Sequence, residues 1–201
     1  MNIRHRPTAE DTRERIISVA EEHFRRVGYA KTAVADIAAA LHMSPANIYR
    51  FFASKSAINH AICSRLMDEV NAAIGAIVNG PGTAAEKLRA FVISLHRHNK
   101  TRLTNEHRLY DMVEVAMAEN WPAIDAHCQR MRQFLAQILR QGIEAGEFRA
   151  VDADVFADTA CNASAKVIHP TLIAQCTACG ETDQEDQAHR LVDLFLAALR
   201  P

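Results

Sequence analysis

Apolar residues recur at three- and four-residue spacings along almost the whole chain, the signature of amphipathic helices. Thr8-x-x-Asp11 has the form of a helix start, and Ile16, Ala20, Phe24 and Val27 follow as one stripe that closes on Arg25, Arg26 and Gly28. A short helix bearing Val34, Ile37, Ala38 and Leu41 comes next, with Thr32 placed to cap it. His42-Met43 interrupts the period and Ser44-Pro45 restarts it, since Ser is a strong N-cap and Pro suits the first helical turn. Ile48, Phe51 and Phe52 form the buried stripe of this second short helix.

Ser54 then opens a long helix through Ile58, Ile62, Leu66, Val70, Ile74 and Ile77, which at 1.5 Å per residue spans roughly 37 Å by Val78. Asn79-Gly80-Pro81-Gly82 stops it, and Thr83 begins a helix carrying Leu88, Phe91, Val92 and Leu95. Thr101 to Glu106 reads as a polar connection. Helical periods resume in Leu109 to Met117, Ile124 to Ile143, Val155 to Ile168 and Leu191 to Leu199. Gly142-x-x-x-Gly146-Glu147-Phe148 closes one helix before Asp152 opens another, and Pro170 predicts a kink or stop after His169. No stretch alternates as a strand, so the expected fold class is all-α.

At 201 residues, 49% hydrophobic and 23% charged, the chain suits one or two compact domains with a sizeable core. No apolar run reaches the roughly 18 residues of a spanning helix and the first residues are polar, so neither signal peptide nor anchor is expected and the protein reads as cytoplasmic. Five scattered cysteines fit reduced thiols better than a disulfide framework. The net charge of −1 argues against a nucleic-acid binder, but its distribution argues the other way. Residues 1–60 hold nine Lys and Arg against six Asp and Glu, leaving the remainder acidic.

That mildly basic end carries the candidate chemistry. On the helix opened by Ser44, Ala46, Arg50 and Ala53 point away from the buried stripe, with Asn47 and Tyr49 on its flanks. A major-groove helix needs this inventory: Arg bidentate to guanine, Asn bidentate to adenine, Ala against a thymine methyl. Lys55 stands in the first turn of the following helix, where a cation opposes the helix dipole; a DNA phosphate would resolve the conflict. Thr32, Ser44 and Tyr49 supply hydroxyls at helix starts and on the flank. The predicted DNA-binding set is therefore Thr32, Ser44, Ala46, Asn47, Tyr49, Arg50 and Lys55. The arm Met1 to Pro7, with Arg4, His5 and Arg6, could follow a phosphate backbone or a minor groove.

At these residues the chain resembles the tetracycline-repressor (TetR) family of bacterial transcriptional regulators. The resemblance rests on Thr32, Ile37, Ala38, Ser44, Ile48, Tyr49, Phe52, Ser54 and Lys55 and runs over residues 12–60, with a weaker echo at Gly142 to Asp154. His42 stands where the family has a turn glycine, so a non-glycine residue is expected in a left-handed conformation; Phe51 is a second departure. The resemblance implies a helix-turn-helix DNA-binding domain over 1–53 and a helical effector-binding and dimerisation domain over 54–201, joined by the long helix. It implies a ligand-responsive regulator, a repressor that binds a palindromic operator as a homodimer and is released by a small molecule. A metal- or thiol-responsive regulator of the same fold is the alternative. The last two long helices, roughly Asp154 to Cys176 and Asp183 to Leu199, would pair with those of a partner through a stripe of Leu191, Val192, Phe195, Leu196 and Leu199.

Phe91, Met112, Met117, Trp121 and Phe134, with His107, Tyr110 and His127 as polar contacts, are the candidate lining of an effector pocket in the middle helices. His107, Asp111 and Glu114 share a helical face that His127 or His169 could complete as a metal site, yet such sets are more often ordinary polar positions and no metal or other cofactor is assigned. Cys176-x-x-Cys179 lacks a second pair and reads as incidental. No nucleophile motif, phosphate loop or carboxylate pair points to an enzyme.

Overall fold

The computed structural model describes residues 8–105, 107–118, 121–180 and 182–201, apart from the side chains of 102–105, 107, 109, 110, 113, 114 and 118. The described residues form eleven α-helices and no strand: α1 Ala9–Val27, α2 Val34–Ala40, α3 Pro45–Tyr49, α4 Lys55–Asn79, α5 Ala84–Asn105, α6 His107–Ala118, α7 Pro122–Glu144, α8 Ala153–Ala163, α9 Ala165–Ile168, α10 Pro170–Ala178 and α11 Gln184–Leu199. They fall into two compact units, Met1–Leu66 with Glu106–Ala123, and Met67–Asn105 with Ile124–Pro201.

The first unit is built on α1, which a reciprocal cap opens: Thr8 Oγ accepts from the Asp11 amide while Asp11 accepts from the Thr8 amide. Its stripe of Ile16, Ile17, Ala20 and Phe24 is buried, and α2, α3, α6 and the start of α4 supply Ile37, Ala38, Ile48, Met112, Ala116, Ile58 and Ile62 to the buried set. α6 packs on α1. Glu21 is 5% exposed, so its charge must be matched inside the fold. Arg25 pairs with it at 2.5 Å and Arg65 of α4 reaches it as well, tying α4 to α1.

In the second unit α5 packs against α9, α10 and α11 over a core that includes Leu88, Phe91, Val92, Leu135, Leu139, Val192 and Leu199. The corner after α7 explains its glycine pattern. A Cβ on Gly142 would lie 2.2 Å from the Phe148 ring and 2.8 Å from Ala84 Cβ, and Gly146 takes φ +72°. Folding back this tightly delivers the Glu147 carboxylate to the Ala84 and Ala85 amides at 2.8 and 3.4 Å, where it caps α5 from a distance in sequence.

Three sequence expectations are corrected. Thr101 to Asn105 is helical as the end of α5, because polarity without Gly or Pro does not stop a helix. The period from Val155 to Ile168 is two helices, since Ser164 turns its hydroxyl onto the Ala160 carbonyl at 2.7 Å and the chain bends there. Thr32 does not cap α2: the N-cap is Ala33, whose amide is held by Asp36 at 2.8 Å. The Pro170 break appears as expected, with α9 ending at Ile168 and α10 starting at Pro170. α5 services the carbonyls beside that break, His96 Nδ1 pairing with Val167 O at 2.7 Å and Asn99 donating to Ile168 O at 2.6 Å.

Candidate nucleic-acid interface

α1 ends at Gly28, whose φ of +98° turns the chain toward α2 through residues 29–33. Thr32 is 2% exposed and donates its hydroxyl to Gly28 O at 2.9 Å, so this side chain stiffens the turn from inside rather than facing outward. α2 closes on His42, the one non-glycine residue with positive φ (+56°) among the described residues. The Met43 amide reaches Ala38 O at 2.8 Å and the His42 amide reaches Ala39 O at 3.0 Å, the paired bonds of a Schellman turn. These bonds offset the roughly 1 kcal/mol that a left-handed non-glycine residue costs.

α3 starts as its sequence requires. Ser44 Oγ accepts from the Asn47 amide at 3.3 Å and Pro45 takes the first helical position. The helix is only five residues long and hands over at Arg50, after which the Phe51 and Phe52 amides both bond to Ile48 O. Ile48 and Phe52 are buried, and the Arg13 guanidinium lies over the Phe52 ring at 4.7 Å. The opposite side presents Ala46, Tyr49 and Arg50, all exposed, beside half-buried Asn47. Tyr49 is 52% exposed. The Arg50 side chain makes no hydrogen bond or ion pair among the described residues, so none of them takes up its five donors. Of the five residues from Ser44 to Arg50 in the predicted set, four are thus exposed and Asn47 is half-buried among them.

Lys55 behaves differently. Ser54 caps α4 through the Ala57 amide at 3.0 Å, as the sequence suggests. The Lys55 ammonium, however, turns back to the α1–α2 turn: it donates to Tyr29 O at 2.8 Å, Thr32 O at 3.0 Å and Ala30 O at 3.5 Å, and sits 4.4 Å from the Tyr29 ring centroid. The cation at a helix start therefore finds its negative partial charges within the chain. Tyr29, absent from the predicted set, also packs edge-on against Phe24 at 5.2 Å.

The candidate effector residues are divided. Phe91, 1% exposed, lies in the core of the second unit, where Phe134 is half-buried with Arg130 5.7 Å from its ring. His127 is also in that unit, its Nδ1 paired with Asn71 Oδ1 at 2.9 Å; burial, then the neighbouring His98, holds its pKa down at about 4, so the ring is neutral at pH 7. Asn71 had no distinguishing signal in the sequence. Met112, Met117 and Trp121 belong to the first unit; Met112 and Trp121 are buried, and Trp121 stacks at a tilt on His60 at 5.4 Å. The side chains of His107 and Tyr110 lie outside the described residues, as does that of Glu114 from the possible metal face. Among the described residues no three His, Cys, Asp or Glu groups gather to hold a metal.

Among the described residues, no helix is long and apolar enough to cross a membrane. Residues 16–62 match the model of bacterial regulatory proteins of the tetR family, and residues 84–192 match that of the tetracyclin repressor-like C-terminal domain. No protein of curated function matches the sequence. Among solved structures, a TetR/AcrR-family transcriptional regulator from Thermobifida fusca YX-ER1 is similar at 25% identity, TM-score 0.68, over 95% of this chain and 100% of that one. PfmR of Thermus thermophilus, a TetR-family regulator, shares 27% identity at TM-score 0.57 over 91% and 97% of the two chains. FadR of Bacillus subtilis, solved with stearoyl-CoA, shares the fold at 20% identity and TM-score 0.66 over 93% and 99%.

Proposed function

The chain belongs to the tetR family of bacterial regulatory proteins, and from that premise we propose that it is a repressor which binds a palindromic operator as a homodimer and leaves it on binding a small molecule. The observation that carries the reading is the open edge of α3. Ser44 and the His42 turn fix the start of this helix, and Ala46, Tyr49 and Arg50 stand exposed beside half-buried Asn47, with the Arg50 side chain unpaired among the described residues. Asn47 and Arg50 read base edges in the major groove, while Ser44 and Tyr49 meet phosphates. Thr32 and Lys55 serve the site through the turn they stiffen.

The residues 54–201 carry the dimer contact and the effector. On α8 and α11, Val155 and Leu194 are each 63% exposed, and half-buried Phe156, Leu191 and Leu196 continue the apolar surface that a second copy would cover. Two heads can then read two half-sites one helical turn apart. The effector is held by the second unit, with Phe91, Phe134 and His127 as its candidate contacts there. Linkage requires that DNA weaken effector binding by the factor that effector weakens DNA binding. The FadR relative holds stearoyl-CoA, so a long-chain acyl-CoA is the first ligand to try.

The test is selection of duplexes from a random library by the purified protein, followed by affinity measurements on the winner. A palindrome should emerge, and Arg50→Ala should lose about 1–3 kcal/mol at its own base pair while flattening preference there. Failure to enrich any sequence over scrambled DNA would refute the proposal.

A further inference from the structure

We propose that Lys55 is a positioning residue of the DNA site, a clasp that joins the two ends of the helix-turn-helix and sets where α3 stands, rather than a phosphate ligand. The inference rests on the reading of this edge as a DNA interface. An ammonium group has three N–H donors. In Lys55 three carbonyls of one turn take them, at 2.8, 3.0 and 3.5 Å, and the Tyr29 ring face lies 4.4 Å from the nitrogen. A phosphate oxygen could be reached only by giving up one of these bonds. The Arg50 side chain, by contrast, gives none of its donors to a described residue.

The placement of the bonds gives them a purpose. Thr32 stands immediately before α2 and its N-cap, Lys55 at the first residue after the segment that carries α3, so the bond between Lys55 Nζ and Thr32 O closes the motif on itself. α2 has seven residues and α3 five, lengths at which helices in water do not hold their own conformation. Their frame comes from packing and from whatever fixes their ends. The turn has its own supports, with the Thr32 hydroxyl on Gly28 O and Tyr29 edge-on to Phe24, and Lys55 links this turn to α4. Carbonyl oxygens supply partial charge without cancelling the cation, so Lys55 still adds to the positive field of the head; what it lacks is a donor to spend on DNA.

Phosphate binding and positioning leave different marks. A phosphate ligand contributes equally to all sequences and to the salt dependence, whereas a positioning residue acts on the contacts α3 makes with its own site. The experiment compares wild type, Lys55→Ala, Lys55→Arg and Tyr29→Leu on the library-selected duplex and on a scrambled duplex at four salt concentrations. Circular dichroism melts check that each variant is folded, and hydrogen exchange follows amides 29–36. Lys55→Ala should weaken the selected duplex about tenfold or more and the scrambled duplex far less, with the salt slope on scrambled DNA nearly unchanged. Exchange at amides 29–36 should quicken. Lys55→Arg should not restore the loss, because a planar fork cannot converge on three carbonyls of one turn. Tyr29→Leu should show the same pattern more weakly.

Equal losses on both duplexes, a salt slope smaller in magnitude by about 0.9, unchanged exchange and rescue by Arg would overturn the inference and make Lys55 a phosphate contact. If wild type selects no duplex, the regulator reading fails instead; exchange at residues 29–36 then decides the clasp, and unchanged protection in Lys55→Ala removes it.

Discussion

Gly142→Ala should destabilise the protein even though alanine is the better helix former. Within α7 the replacement gains about 0.8–1 kcal/mol of helix propensity. Against this, the new Cβ would stand 2.2 and 2.5 Å from two Phe148 ring carbons and 2.8 Å from Ala84 Cβ. Phe148 is 6% exposed and cannot swing aside without uncovering its ring, a loss of roughly 1.5–3 kcal/mol. Holding the ring in place instead strains a packed corner by a similar amount, about 1–3 kcal/mol and occasionally more. The same movement would pull Glu147 off the Ala84 amide. The net expectation is a loss of about 2 kcal/mol, which for a chain of this size lowers Tm by roughly 4–8 °C.

Gly75→Ala is the internal control. Its Cβ meets only the tip of the half-buried Phe134 ring, at 3.3 Å, and a small ring shift admits it. There the propensity gain should show, leaving stability unchanged or raised by up to about 1 kcal/mol. Urea unfolding followed by circular dichroism, all variants at one protein concentration, measures both. The double variant Gly142→Ala/Phe148→Leu should be less damaged than the two single losses combined, because the smaller side chain removes the collision. Gly142→Ala as stable as wild type, or Gly75→Ala as the costlier change, would refute a packed corner at Phe148.

His127 should make stability acid-sensitive: the unfolded ring takes up its proton near 6.5 and the folded ring only near 4, so its contribution is full above pH 6.5 and is lost as pH falls toward 4. The loss is at most roughly 3 kcal/mol, and urea unfolding at pH 7 and pH 5 should show a smaller drop for His127→Gln than for wild type. Arg65→Ala leaves the buried Glu21 carboxylate with Arg25 as its remaining ion-pair partner among the described residues and should cost about 1–3 kcal/mol, while pairing it with Glu21→Gln should recover part of that; thermal melts of the four proteins of the cycle decide. Val155→Glu/Leu194→Glu should give a folded monomer in sedimentation with operator affinity lost, and an undiminished dimer would move the interface elsewhere. These positions serve better than Phe195, whose ring is 8% exposed and packs edge-on to Phe156 at 6.1 Å inside the unit.

Features governed by neighbours within about four residues were legible from the chain alone. Apolar period placed the helices, Ser44-Pro45, Ser54 and Asp152 opened theirs, Pro170 broke one, and His42 had to go left-handed in the four-residue turn between two helices. The same local logic singled out the outward face of α3, because one buried stripe leaves only one opposite side. A period says which face of a helix is covered, however, and not by what. Only the folded chain decided that Lys55 spends its charge on the turn at Tyr29 and Thr32, that Glu147 caps α5, that Asn71 holds His127, and that α6 packs on α1. Each of these joins residues more than 20 positions apart, and a polar side chain with several donors or acceptors carries no mark of which distant partner it will meet. That choice is made when hydrophobic burial brings the elements together and every buried polar group must find a partner among whatever then lies within reach.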